Sequence, residues 1–141
     1  MIVAFELPVR VYYEDTDAGG VVYHANYLRF MERARSEWLS RLGLEHAELT
    51  RDHGLMFVVR SAQLDFLRPA KLADHLTIDL AISRLRRSSM TFSQQVWRGE
   101  ECLCRGEISV VAVNVATFRP CGLPPAVRQL LGPWLPAEHA A

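Results

Sequence analysis

The sequence lacks net charge: 16 Lys and Arg are balanced by 16 Asp and Glu. A general nucleic-acid binder normally carries a basic excess, so nucleic acid is not expected as a partner. Cysteine is scarce, with only Cys102, Cys104 and Cys121. Their number is odd, and C-x-C is neither a redox C-x-x-C nor a zinc pair of pairs. Free, partly buried thiols in a reducing compartment are expected. No apolar run approaches the roughly 20 residues that span a bilayer, so no transmembrane segment is expected. The opening "MIVAFELPVRVYYED" has no basic stretch followed by a long apolar one, which argues against a signal peptide. Internal repeats, low-complexity segments and linkers are missing too. These absences point to one cytoplasmic domain over residues 1–141, and half of its residues are hydrophobic, enough for one core.

What is present reads as one helix among strands. Pro8 opens a short strand, Val9 to Glu14, which an acidic loop ends. Tyr27, Phe30, Met31, Ala34, Trp38 and Leu42 then recur at helical steps and form a single apolar stripe. Asn26 is the expected N-cap and Gly43 the stop. A shorter helix is expected from Glu45 to His53, closed by Gly54. From there the period changes. Leu55 to Leu67 reads as a strand that Pro69 terminates. Leu76, Ile78, Leu80 and Ile82 alternate with polar or small residues, as a half-buried strand does. Ser89 to Trp97 is a further run, with Arg98-Gly99-Glu100 as its turn. Ile108 to Phe118 is apolar on nearly both faces and belongs inside the sheet. A short helix, Ala126 to Leu131, follows Pro124-Pro125. Successive strands with short turns imply antiparallel pairing, and the wide stripe of the long helix needs a sheet face to cover it. The class is α+β: an antiparallel sheet curled around one helix.

The stretch "YYEDTDAGGVVYHANY" carries the chemistry. Glu14, Asp15 and Asp17 crowd together, and like charges at that spacing repel unless something offsets them. Val21, Val22 and Tyr23 follow at once, so part of the loop is buried. The loop leads into a helix N-terminus, where free N–H groups hold an anion or oxyanion. Asp15-Thr16-Asp17 matches the D-x-D of aspartyl-phosphate phosphatases, but the parallel strand and larger α/β domain they need are missing. Ala18-Gly19-Gly20-Val21 cannot complete a calcium loop. His24 has no His or Cys partner at ligand spacing, so no metal is expected. A carboxylate beside a helix N-terminus suits acyl transfer: the N–H groups polarise a carbonyl, and the carboxylate attacks it or activates a water. A thioester fits best, since a thiol of pKa about 8.5 leaves without a strong general acid.

The stretch "VRVYYEDTDAGGVVYHANYLRFMERARSEWL", Val9 to Leu39, closely resembles the YbgC-like acyl-CoA thioesterases associated with the bacterial Tol-Pal system. These stand with the 4-hydroxybenzoyl-CoA thioesterases in the hotdog-fold superfamily. "FVVRSAQLDFLRPAKLAD" and "SMTFSQQVW" look like the family's later strands. The resemblance implies a hotdog fold, hydrolysis of acyl-CoA without a cofactor, a homodimer that pairs again into a homotetramer, and an active site at the dimer interface. It places the catalytic residues at Asp17, His24 and Tyr13, with backbone N–H groups near His24 as oxyanion donors. For coenzyme A it points to Arg87 and Ser89, beside Arg84 and Arg86, because guanidinium groups suit phosphate. Arg60 and Arg68 are further candidates. Tyr23, Tyr27, Phe57 and Val58 are candidates for the acyl pocket, although each type is more often plain core. Two other functions compete: a hotdog acyl dehydratase or hydratase, which the Asp17 motif argues against, and a non-catalytic acyl-CoA binder, which has no need of a carboxylate at position 17.

Overall fold

The computed structural model describes residues 2–137. β1 (Val3–Arg10) leads through a 3-10 turn at Tyr13–Asp15 and a loop to α1 (Asn26–Arg41). Then come α2 (His46–His53), β2 (Leu55–Phe66), β3 (His75–Leu85), β4 (Ser89–Arg98), β5 (Glu101–Asn114) and α3 (Pro125–Leu131), with a last 3-10 turn at Gly132–Trp134. The strands form one antiparallel sheet in the order β1-β3-β4-β5-β2. Each pairing carries a register shift, at Val3/Phe5, Val59/Ser61, Ile82/Arg84 and Val96/Trp97. Such irregularities bend strands and increase twist, and here they curl the sheet around α1. This is the expected α+β hotdog arrangement.

The core lies between α1 and the concave face of the sheet. Phe30, Met31 and Ala34 of α1 are fully buried with Ile78, Leu80, Phe92 and Ile108 of the strands. Burial of one such large side chain stabilises by about 1.5–3 kcal/mol. Gly106 of β5 lets α1 come close, since a Cβ there would stand 3.3 Å from the Met31 Cε and 3.2 Å from Leu64. Trp38 packs edge-on to Phe92 and to Trp134, so the C-terminal turn closes the far end of the core. The three cysteines are free. Burial, with Cys102 beside it, pushes the Cys104 thiol up to about 12, so it is inert.

Four features differ from the sequence reading. First, β1 spans Val3–Arg10, not Val9 to Glu14, and Pro8 sits inside it. β1 is an edge strand, where a residue without an N–H is tolerated. Second, the last strand is displaced: it begins at Glu101 and ends at Asn114, whose Oδ1 takes the Ala116 and Thr117 N–H groups in a turn. Third, β2 pairs with β5 and not with its sequence neighbour β3. Fourth, Ala25, not Asn26, caps α1.

Asn26 is occupied elsewhere. It is buried in the first turn of α1, and its Nδ2 donates to Asp15 Oδ1 at 2.8 Å. Asp15 Oδ2 accepts the Tyr12 N–H at 2.9 Å, and Asp15 O accepts the Tyr23 N–H at 2.8 Å. The strand end, the loop and the helix start are thereby tied at one buried carboxylate. Asn26→Ala removes one of its two side-chain donors. The expected cost is about 1–3 kcal/mol, the penalty for a buried acceptor left short of a partner. It should appear as a lower urea midpoint at unchanged m-value; an unchanged midpoint shows that the tie contributes nothing.

Candidate active site

Residues 16–22 fold back on themselves. Thr16 bridges Val22, and the Asp17 N–H donates to Val21 O at 2.9 Å. Gly20, at φ 81°, makes the reversal and donates to Asp17 O at 3.2 Å. The returning arm is anchored to the β2–β3 connection: Val21 bridges Lys71, and the Val22 N–H donates to Ala70 O at 2.9 Å. Arg98 braces that connection through Asp74 at 2.7 Å and Pro69 O at 3.3 Å.

Asp15 and Asp17 part company here. Asp15 is 3% exposed and fully engaged. Asp17 is exposed, one of its oxygens accepts the Gly19 N–H at 2.8 Å, and the other has no partner among the described residues. A Cβ on Gly19 would lie 3.2 Å from that bonded oxygen, so glycine at 19 keeps the carboxylate uncrowded. A carboxylate held at one oxygen and bare at the other is oriented and still available for chemistry.

His24 stands in the turn just before α1, exposed. Its ring lies 4.5 Å from that of Tyr23 and meets Phe66 edge-on at 6.2 Å. The backbone N–H groups of His24 and Ala25 have no acceptor among the described residues. Free N–H groups in this position carry the positive end of the α1 dipole. Phe66 was missed from the sequence. It ends β2, is 53% exposed and also packs on Tyr27 at 5.6 Å. Its signal is the alternation of β2, which puts Leu64 and Phe66 on the α1 side with Gly106 and Cys104 opposite them.

The other candidates are dispersed. Tyr13 is 81% exposed, and its hydroxyl makes no hydrogen bond among the described residues. Tyr27 is buried, and its hydroxyl accepts the Ala70 N–H at 3.1 Å. Burial raises its pKa, with the Ala70 bond opposing. Val58 is exposed on β2. Phe57 lines a cavity of about 710 Å³ between α1, α2 and the inner face of the sheet, with Leu39, Leu44, Leu49, Phe92 and Val110. None of Asp17, His24, Tyr13, Tyr23 or Tyr27 lines it.

The arginine cluster lies at the β3–β4 turn. Ser89, Arg84, Arg86 and Arg60 border a polar groove of about 570 Å³ on the sheet face away from α1. Arg87 is exposed beside Gly122, and Arg128 Nη2 fixes the turn by donating to Arg86 O at 2.7 Å and Arg87 O at 2.9 Å. Arg60, Arg84, Arg86 and Arg87 have no carboxylate partner among the described residues, whereas Arg68 pairs with Glu101 at 3.1 Å. Among the described residues no group of three or more His, Cys, Asp or Glu is placed to hold a metal ion, and no helix is long and apolar enough to cross a membrane.

Comparison with known proteins agrees with this fold. The sequence model of the Thioesterase superfamily matches residues 19–105. Acyl-CoA thioesterase YbgC of Haemophilus influenzae is 40% identical over 124 residues, covering 88% of this chain and 91% of that protein. Acyl-CoA thioester hydrolase YbgC of Escherichia coli O6:H1 is 42% identical over 124 residues, covering 87% of this chain and 92% of that protein. The crystal structure of a probable thioesterase from Bartonella henselae, 39% identical, superposes with a TM-score of 0.79 over 86% of this chain and 100% of the other. With the curled sheet, the Asp17 loop and these matches together, the chain belongs to the thioesterase superfamily and, within it, to the YbgC acyl-CoA thioesterases.

Proposed function

We propose that this protein hydrolyses acyl-CoA to free acid and CoA, with Asp17 as the working carboxylate. The observation that carries the reading is the state of Asp17: one oxygen held by Gly19, the other bare, on a loop that runs straight into the α1 N-terminus. The bare oxygen attacks the thioester carbonyl or takes a proton from the water that does. The unengaged His24 and Ala25 N–H groups receive the developing oxyanion, reinforced by the helix dipole. His24 orients the water or the carbonyl. The CoA thiolate then leaves with little need of protonation, and where Asp17 has attacked directly, water cleaves the resulting acyl anhydride to release the acid and restore the carboxylate. Arg87, with Arg84, Arg86 and Arg60 around Ser89, offers unpaired guanidinium groups to the phosphates of CoA.

A second observation favours a shared site. Asp17 is exposed and lines no large cavity, while the 710 Å³ cavity holds no candidate catalytic residue. β2 is a long edge strand, and an uncovered edge invites another strand. Antiparallel pairing of β2 with its own copy about a two-fold axis sets the Phe57 end of one strand against the Phe66 end of the other. Since Phe66 carries His24 beside it, the partner's catalytic loop is brought to the mouth of this chain's cavity. The homodimer thus joins carboxylate and pocket. Further pairing into a homotetramer rests on the family resemblance alone, and a place in the cytoplasm on the three unpaired cysteines.

Asp17→Asn is expected to lower kcat at least about a hundredfold with the fold intact, as for loss of a nucleophile or base. Thiol release from a panel of acyl-CoAs, with circular dichroism as the control, checks it; near-normal turnover in a folded variant sinks the mechanism. His24→Ala should cost only about tenfold, because its role is positioning. A loss of about a hundredfold or more in the same assay makes His24 a proton-transfer group instead. Sedimentation at assay concentration should find a dimer or larger; an active monomer refutes the shared site.

A further inference from the structure

Arg35 of α1 is only 7% exposed and lines the 710 Å³ cavity. Its Nη1 donates to Gln94 Oε1 at 2.9 Å. Gln94 is 0% exposed, and its Nε2 donates to Met31 O at 3.0 Å and Asp79 O at 3.4 Å. Both amide donors are aimed at carbonyls, so Gln94 can only present oxygen to Arg35. The guanidinium is therefore fixed in place. A guanidinium carries five N–H donors, yet this one makes a single hydrogen bond and no ion pair among the described residues.

A buried charge is ordinarily paired and fully bonded. Here the spare donors are left for the cavity, whose lining is apolar at Leu39, Leu44 and Leu49 on the helical side and Phe57, Phe92 and Val110 on the sheet, with Ser36 and Ser40 at its helical rim. The volume falls in the range that encloses an organic ligand. Such a cavity asks for a molecule that is mostly hydrocarbon and carries a hydrogen-bond acceptor where it meets Arg35. The other charged or titratable groups around it are Glu32, Glu37, Glu45 and His46. Three carboxylates against one guanidinium disfavour an anionic ligand, so the acceptor is neutral.

We infer that this cavity takes an acyl chain bearing a neutral oxygen, a hydroxyl or keto group, and that Arg35 is the residue that reads it. The inference rests on the thioesterase reading above, in which the partner's Asp17 loop closes the cavity mouth. It adds a substrate class: oxygenated acyl thioesters over plain ones of equal length.

The test uses the full-length wild-type protein and hydroxyoctanoyl-CoA isomers with the hydroxyl at successive carbons, each against octanoyl-CoA, plus the CoA monothioester of octanedioic acid. A hydrogen bond to a charged group is worth about 1.5–3 kcal/mol, or roughly 10- to 150-fold. At least one hydroxylated isomer should exceed octanoyl-CoA in kcat/KM by about tenfold or more. The carboxylated substrate should fall below that isomer. Arg35→Met should abolish the preference, bringing kcat/KM for the best hydroxylated isomer down to that for octanoyl-CoA in the same variant. The wild-type comparison stands without any variant: equal kcat/KM across the series overturns the inference even if Arg35→Met does not fold. A preference that survives in folded Arg35→Met overturns it too, and a best rate on the carboxylated substrate overturns the neutral acceptor. Release of thiol from none of the thioesters overturns the thioesterase reading itself, and this inference with it.

Discussion

A carboxylate removed from water must have every oxygen met by a donor, and the catalytic end of this protein is organised around that demand at Asp15. Its two side-chain oxygens take the Tyr12 N–H and the Asn26 amide, and its carbonyl takes the Tyr23 N–H. One residue thus fixes the exit of β1, the return of the loop and the first turn of α1 relative to each other. Bonding of this kind offsets the desolvation and the repulsion that three neighbouring acids bring. Asp17, like Glu14, then faces solvent, but on a backbone already held from both sides. Two aspartates one residue apart acquire different roles from their surroundings alone.

The same demand recurs at the middle of the sheet. Asp79 of β3 accepts the Gln95 N–H at 2.6 Å and the Trp97 Nε1–H at 2.9 Å. It does so between the Ile78–Val96 and Ala81–Ser93 pairs, where its side chain stands in for a ladder carbonyl. Burial pushes its carboxyl up, with these two bonds opposing. Beside it, Gln94 joins the β3 backbone to α1 through Met31 O and Arg35. Helix and sheet are connected by polar bonds as well as by packing, which sets their relative position more narrowly than apolar contact does.

What was legible in the sequence was what is local. The stripe from Tyr27 to Trp38 marked the buried face of α1, Gly54 ended α2, and the alternation from Leu76 to Ile82 marked β3. The position of Asp17 ahead of a helix was legible for the same reason. Errors arose where a distant group decides the outcome. Asn26 is a cap by residue type, but Asp15 stands across from it and takes its amide, and Val9 to Glu14 alternates like a strand although Asp15 turns its second half into a 3-10 turn. Arg35 and Gln94 are polar types that pattern reasoning leaves in solvent, and only their mutual bond makes burial tolerable. Pairing order was illegible because neighbours in sequence usually pair, and β2 does not.

That strand order also sets the sequence of events during synthesis. β2 leaves the ribosome before β3, β4 and β5, yet its sole partner within the sheet is β5, the last strand to be made. Leu55 pairs with Asn114 and Phe66 with Cys104, so the β2–β5 ladder cannot begin to form until the chain has been made beyond Cys104. Contacts between residues so far apart in sequence close slowly, and an unpaired apolar strand is the usual starting point of misassembly. The nascent chain therefore passes through an interval in which β1, β3 and β4 can already form a partial sheet over α1 while β2 lacks its strand partner, and in that interval both edges of β2 are open to misassembly.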